Sequence, residues 1–192
     1  MGMISPLEIR RKIVHNISLA IPIGYHYVSK ETALIILVPV FVFYLFFDVL
    51  RFVHPEFRLF FDRVVTSRFL REREHKGLIG STYFLIGALP TIILFPKEIA
   101  ITSLYILIIS DTAAALVGVL WGKTTLVPGK TLEGSLAFFV SGLVIMGVTM
   151  RGHEVWGCLG VLGATLAELF PFTLDDNLVI PLVAGGIMWM GW

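Results

Sequence analysis

An aspartate inside an apolar stretch, followed by a glycine-rich loop, gives this chain its clearest potential for chemistry. Asp111 lies within the apolar run Ile99–Leu120. A carboxylate in such a segment is costly unless it meets a cation, a partner or water, so it predicts a functional site. The loop from Gly122 to Thr131 offers lysines, glycines that leave backbone N–H groups accessible, and a helix start, all of which favour anions. The pairing indicates chemistry on a phosphate at a membrane surface.

The loop is not a Walker P-loop, because six residues rather than four separate Gly122 from Gly129. Its residue types still suit a phosphate. Thr131 can cap the helix that follows, and Lys130 can hold phosphate oxygens at the positive end of that helix. Glu133 can bind a divalent cation, since carboxylates and phosphates are its natural ligands. The alternative is an ordinary Gly-Pro turn whose lysines reach the membrane interface.

Small residues continue the helix face that carries Asp111. Ala114, Gly118 and Gly122 follow it at steps of three, four and four, so all four residues lie along one side of a helix. This face could form a groove that leads from the carboxylate to the loop. The alternative is close packing against a neighbouring helix through the small residues.

Two further groups place ionisable side chains at the edge of an apolar segment. Arg11 and His15 are four residues apart with Lys12 adjacent, so they could contact a triphosphate or transfer a proton. Arg11 and Lys12 could equally anchor the helix at the membrane. Glu74 precedes Gly77 at the start of another apolar run and is a second candidate base, with solvated surface charge as the alternative.

Acids also cluster before the last apolar run. Glu168 is followed by the triplet Asp175–Asn177, whose acids and amide are good helix caps. If the helices converge, Asp176 would complete a magnesium site with Asp111 or Glu133.

Composition places these residues in a lipid bilayer. The chain has 192 residues, 56% of them hydrophobic, with 15 lysines and arginines and 14 acids, and its mean hydropathy is +0.86. Five apolar runs are long enough to cross about 30 Å of hydrocarbon: Thr32–Leu50, Leu78–Phe95, Ile99–Leu120, Gly134–Met150 and Glu154–Phe172. Two weaker runs are Lys12–Val28 and Leu178–Trp192. We predict an all-α polytopic membrane helical bundle of about seven transmembrane helices, forming a single domain over residues 1–192.

The basic residues predict the orientation of this bundle. With seven crossings, the N-terminus and alternate loops share one side, which collects 12 of the 15 lysines and arginines. The positive-inside rule puts that side, and the site with it, in the cytosol; the membrane is the plasma membrane if the organism is prokaryotic. Residues 51–76 are typical of a cytosolic amphipathic segment at the interface, and Asp48 and Arg51 could form an ion pair beside it. The net charge of +1 gives no indication of a nucleic-acid partner.

Taken together, the motifs resemble the signature of CTP-dependent lipid-alcohol kinases. These are the dolichol and polyprenol kinases, phytol kinase and CTP-dependent diacylglycerol kinase, within the phosphatidate cytidylyltransferase superfamily. The residues that carry the resemblance cover most of the chain: Arg11-Lys12-x-x-His15, Glu74, Ser110–Gly118, Gly122-Lys123, Gly129–Ser135 and Asp175–Asn177.

The resemblance implies a membrane kinase that uses CTP and Mg²⁺ to phosphorylate the hydroxyl of a lipid alcohol. The acceptor would be a polyprenol or dolichol, phytol or geranylgeraniol, or diacylglycerol. The cytidylyltransferase branch carries a Pro-Gly-His-Gly-Gly element followed by Asp-Arg-x-Asp, and this chain has Asp-Asp-Asn there instead. Phosphoryl transfer is therefore favoured over synthesis of a CDP-lipid, which is the alternative. A small transporter is a further alternative from another class, although no internal repeat is evident.

The resemblance and the residue chemistry together predict a role for each candidate. Asp111 would bind the metal or activate the acceptor hydroxyl, and His15 or Glu74 would be the base. The predicted metal ligands are Asp111, Glu133 and Asp176. The predicted nucleotide-binding residues are Lys130, Gly129, Thr131, Gly134, Lys123, Arg11 and Lys12. Such a set suits phosphoryl transfer, which demands mainly positioning and positive charge around the phosphates.

Overall fold

The computed structural model describes residues 15–61, 77–170 and 174–192, and helices account for most of them. After a helical turn over residues 15–17, the helices are α1 (Ala20–Tyr27), α2 (Lys30–Val53), α3 (Pro55–Phe61), α4 (Gly80–Leu94), α5 (Lys97–Tyr105), α6 (Asp111–Trp121), α7 (Leu132–Thr149), α8 (Glu154–Leu169) and α9 (Asp176–Trp189). A π-helical turn, Ile106–Ser110, joins α5 to α6, and two short strands, β1 (Thr125–Val127) and β2 (Lys130–Thr131), lie between α6 and α7.

Within the residues that the structure describes, three helical stretches are long and apolar enough to cross a membrane: α2, the continuous stretch Lys97–Trp121, and α7. The helices α4 and α9 are shorter and also apolar. Large side chains on α2, such as Ile35, Phe43 and Phe46, are exposed, as expected of a surface that faces lipid. The protein is therefore an integral membrane protein. Each of the seven apolar segments contains a helix, whereas seven crossings and a cytosolic N-terminus remain predictions.

The stretch Lys97–Trp121 forms the centre of the bundle. Its first part, α5, packs against α1, α4, α7 and α9, and residues such as Ile99, Leu104 and Ile108 are fully buried. The π turn comes next, a local widening of the helix that is frequent at functional sites. Asp111 follows directly as the first residue of α6. The candidate carboxylate thus lies where the most deeply buried helix begins to leave the core.

A buried ion pair joins the end of α2 to the start of α4. Arg51 Nη1 donates to Asp48 Oδ1 at 2.7 Å. The other oxygen of Asp48 accepts from the Thr82 hydroxyl at 2.5 Å and from the Ile79 N–H at 3.1 Å. Asp48 and Arg51 are almost completely buried. The predicted ion pair is confirmed within α2, and hydrogen bonds from Thr82 and Ile79 to Asp48 connect it to the start of α4. The two helices flank the predicted amphipathic segment 51–76, whose first residues belong to α2.

That segment was predicted to be one amphipathic helix at the interface. The structure describes its first part, where α3 covers Pro55–Phe61 after a break at His54. Exposed Leu59 and Phe60 share this short helix with the exposed Arg58. Residues 62–76 lie outside the described part of the chain, so the amphipathic helix as a whole remains a prediction.

The helices α6 and α7 approach closely through the predicted face of small residues. A Cβ atom added to Gly134 would lie 2.9 Å from the carbonyl oxygen of Ala114, and one added to Gly118 would lie 3.1 Å from Thr131 Oγ1. Any larger side chain would separate the helices. The face therefore serves helix packing, and this packing sets the start of α7 beside α6.

The loop between α6 and α7 contains a small β-hairpin that the all-α prediction did not include. Val127 pairs with Lys130 in the antiparallel strands, and Pro128 and Gly129 form the turn, where Gly129 has a φ of +82°. A proline followed by a glycine with positive φ is typical of a type II turn. Strands of two and three residues are too short to show a hydrophobic period in the sequence.

Candidate active site

His15 and Asp111 meet although they lie far apart in the sequence. His15 Nε2 is 3.7 Å from Asp111 Oδ2, and both side chains are mostly buried, at 16% and 24% exposure. Next to them, Asn16 Nδ2 donates to Thr112 Oγ1 at 3.4 Å. The residues before α1 therefore pack against the start of α6 and bring an imidazole to the candidate carboxylate.

Lys130 on β2 reaches two carboxylates from two other helices. Its Nζ lies 2.5 Å from Glu168 Oε1 near the end of α8 and 3.5 Å from Asp176 Oδ2 at the start of α9. The second oxygen of Glu168 is 3.5 Å from the Ser135 hydroxyl on α7. The hairpin and the helices α7, α8 and α9 thus converge on one ammonium group.

The charge of Asp111 also acts on the Lys130 ammonium. Burial acts to lower the pKa of the Lys130 ammonium, but the hydrogen bond to Glu168 and the charges of Glu168, Asp176 and Asp111 together raise it above its usual value. Lys130 therefore remains protonated at physiological pH. A protonated lysine can donate a hydrogen bond to a phosphate oxygen.

The start of α9 is held in place by a cap and by close helix packing. Asp175 accepts from the backbone N–H of Asn177 at 3.1 Å and from its side-chain amide at 2.8 Å, which confirms the predicted cap. On α4, a Cβ atom added to Gly87 would lie 2.0 Å from the carbonyl oxygen of Asn177. The absence of a side chain at Gly87 lets α4 approach the backbone beside Asp176.

The start of α7 is built as the sequence predicts. Thr131 is the N-cap, and its hydroxyl oxygen accepts from the Gly134 N–H at 3.2 Å. Because Lys130 precedes this cap, its ammonium and the backbone N–H groups of the first turn of α7 belong to one segment. A helix start with a neighbouring lysine can bind an anion.

The other predicted residues of the loop have surroundings that differ from those of Lys130. The Glu133 carboxylate accepts from the Thr124 N–H, at 3.3 Å for each oxygen, so it supports the loop backbone. Lys123 and Gly129 are exposed, and Gly129 forms the hairpin turn. Roles for these residues in metal or nucleotide binding stay predictions. Arg11, Lys12 and Glu74 lie outside the described residues.

Glu168 is the part of this cluster that the sequence analysis did not select. It was grouped with the helix-capping acids before α9, yet its side chain is buried and contacts Lys130. The signal that could have identified it is the one used for Asp111, namely a carboxylate in an otherwise apolar helix. Ser135, which lies beside Glu168, gave no comparable signal.

The donor set is compatible with a magnesium ion that also takes phosphate ligands. Within the described ranges, no group of three or more His, Cys, Asp or Glu residues could hold a metal by itself. Mg²⁺ in nucleotide enzymes is usually held by one or two carboxylates together with substrate phosphates and water. Asp111 and Asp176, which both act on Lys130, provide two such carboxylates.

Comparison with known proteins identifies relatives over most of the chain. An uncharacterized protein of Rickettsia prowazekii is 36% identical over 185 residues, covering 91% of this chain and 90% of the relative. CTP-dependent diacylglycerol kinase 1 of Schizosaccharomyces pombe is 35% identical over 161 residues, covering 74% of this chain and 73% of the relative. The protein of the same name from Saccharomyces cerevisiae is 27% identical over 211 residues, covering 94% of this chain and 72% of the relative.

Two other comparisons return nothing: no family model matches the chain, and neither does a solved structure. The sequence relatives therefore carry the assignment alone. Identity of 35% over about three quarters of both chains is sufficient to assign the family. The assignment agrees with the resemblance carried by the motifs around Asp111 and Lys130. This membrane protein belongs to the family of CTP-dependent lipid kinases.

Proposed function

We propose that this protein transfers the γ-phosphate of CTP to the hydroxyl of diacylglycerol. The observation that carries the proposal is the position of Lys130, whose ammonium lies 2.5 Å from Glu168 and 3.5 Å from Asp176 beside the start of α7. The choice of diacylglycerol as the first acceptor to test rests on the names of the yeast relatives. Polyprenols, dolichol, phytol and geranylgeraniol are the other acceptors that the motifs allow.

In the proposed reaction, the oxygen of the lipid hydroxyl attacks the γ-phosphorus of CTP. The bond between that phosphorus and the β–γ bridging oxygen breaks, so the products are CDP and a lipid phosphate. The hydroxyl proton passes to the imidazole of His15, and Asp111, 3.7 Å away, stabilises the imidazolium that forms. Glu74 is the alternative base.

The triphosphate would be bound at the segment that joins β2 to α7. Lys130 contributes a cation, and the first turn of α7 contributes backbone N–H groups at the positive end of the helix dipole. Lys123, Arg11 and Lys12 are the additional cations proposed for this site. When bound, Mg²⁺ would be held by Asp111 and Asp176, with Glu133 as the third predicted ligand, and would neutralise charge on the phosphates.

The site requires an orientation and a route for the acceptor. We place it on the cytosolic side, where CTP is available and where the basic residues collect. The acceptor would enter sideways from the bilayer, because its acyl chains cannot leave the lipid. Its hydroxyl would then meet the nucleotide at the boundary between membrane and cytosol.

The test is a transfer assay on purified protein with CTP labelled at the γ-phosphate and a panel of single lipids. Diacylglycerol, a polyprenol, phytol and geranylgeraniol are each offered in the same detergent. We expect label in the phosphate of diacylglycerol. Label in another lipid would identify that lipid as the acceptor and would leave the proposed phosphoryl transfer intact. No label in any lipid, with divalent cation present, would contradict the proposed function.

A further inference from the structure

We infer that Glu168 is a positioning residue, which holds the Lys130 ammonium in the orientation that binds the phosphates of the nucleotide. The inference rests on the proposed function for the identity of the ligand. It adds a residue that the family motifs around Asp111 and Lys130 do not include.

Burial is the first argument. Glu168 is only 3% exposed, on a helix whose neighbouring residues Val161 and Ala164 are completely buried. An ionised carboxylate at such a position is costly unless a cation and hydrogen bonds compensate it. Lys130 and Ser135 provide these partners, one at each oxygen. Because burying the Glu168 carboxylate is costly, its contact with Lys130 is expected to have a specific role.

The second argument concerns the freedom of the lysine. The hairpin fixes the backbone of Lys130, but its side chain has four rotatable bonds and many conformations. The contact with Glu168 selects one of them before any ligand arrives. A cation that is already oriented loses less entropy when it binds a phosphate.

The third argument is that the ion pair does not close the site. The Lys130 side chain remains 29% exposed, and its ammonium lies 3.5 Å from the partly exposed Asp176. An ammonium has three N–H donors. Glu168 takes one and Asp176 is within ion-pair distance of a second, so one donor is left for a phosphate oxygen.

A double-mutant cycle separates positioning from a merely structural role. Glu168→Ala should lower kcat/KM for CTP on the order of tenfold to a hundredfold. Glu168→Gln should lower it less, because an amide oxygen still accepts a hydrogen bond. In the Lys130→Ala background, the Glu168→Ala change should have no further effect. Effects that multiply in the double variant would overturn the inference, since Glu168 would then act independently of Lys130.

A second readout does not depend on turnover. Amine labelling followed by mass spectrometry reports how strongly each lysine is protected, and the exposed Lys123 in the same loop is the internal control. Glu168→Gln should increase labelling of Lys130 severalfold and leave Lys123 unchanged. Unchanged labelling of Lys130 would overturn the inference. A wild-type protein that transfers no phosphate from CTP but shows this labelling change would contradict only the proposed function.

Discussion

The imidazole of His15 lies 3.7 Å from the carboxylate of Asp111, so the segment before α1 contributes to the same site as the central helix of the bundle. A histidine beside a carboxylate is suited to accept a proton, because the imidazolium that forms is stabilised by the negative charge. The charge of Asp111 also acts on the ammonium of Lys130. Asp111 therefore influences both a candidate base and a candidate phosphate ligand.

Replacing Asp111 by asparagine should abolish most of the activity. The change keeps the size of the side chain and removes the charge that acts on His15 and Lys130. We expect the rate of transfer from CTP to fall about 10²–10³-fold, with the melting temperature little changed. Glu154→Gln is the matched control, since this exposed acid is the first residue of α8. Activity of Asp111→Asn within threefold of wild type would exclude a central role.

Replacing His15 by glutamine tests the proposed base. The change should lower kcat about 10²–10⁴-fold, because glutamine cannot accept the hydroxyl proton. His153→Gln is the control, because that ring stacks on Trp192 with centroids 4.5 Å apart and has no part in the proposed reaction. If His15→Gln keeps the wild-type kcat, the proton goes elsewhere, and Glu74 becomes the candidate.

A methyl group at Gly87 should disturb the site from a distance. In Gly87→Ala the new carbon would meet the carbonyl oxygen of Asn177, so α4 and the start of α9 must separate and Asp176 must move. Overpacking of this kind costs about 1–3 kcal/mol, and the rate of transfer should fall as well. Gly186→Ala is the matched control, since nothing lies within 4 Å of its added carbon. Equal stability and equal rates in the two variants would contradict the packing described between α4 and α9.

Removal of the buried Asp48 carboxylate should destabilise the bundle. Asp48→Ala removes the carboxylate that the buried Arg51 contacts, and the Thr82 hydroxyl and the Ile79 N–H lose their acceptor. We expect a loss of about 3–5 kcal/mol in the free energy of unfolding, measured by denaturation in detergent. The double replacement Asp48→Leu/Arg51→Leu should recover part of this loss. Glu56→Ala on the exposed surface is the control, and an equal effect of both single changes would argue against the ion pair.

Sequence reasoning was successful where one residue contrasts with its immediate surroundings. Asp111 interrupts an apolar run, and Thr131 precedes a helix that it caps, so both features are visible locally. The convergence of Lys130 with Glu168 depends instead on how three helices and a hairpin pack together. Contacts over 38 residues leave no periodic signal in a single sequence. The hairpin was missed for a different reason, since its strands are shorter than any pattern that could predict them.

The most direct test of the account compares two forms of CTP, one labelled at the γ-phosphate and the other at the α-phosphate. A kinase leaves the α-label in CDP and moves only the γ-label into the lipid, whereas a cytidylyltransferase moves the α-label into a CDP-lipid and releases pyrophosphate. We predict that diacylglycerol acquires the γ-label alone and that Lys130→Ala and Asp111→Asn both strongly reduce the amount transferred. Recovery of the α-label in the lipid fraction would contradict the phosphoryl transfer proposed for this site.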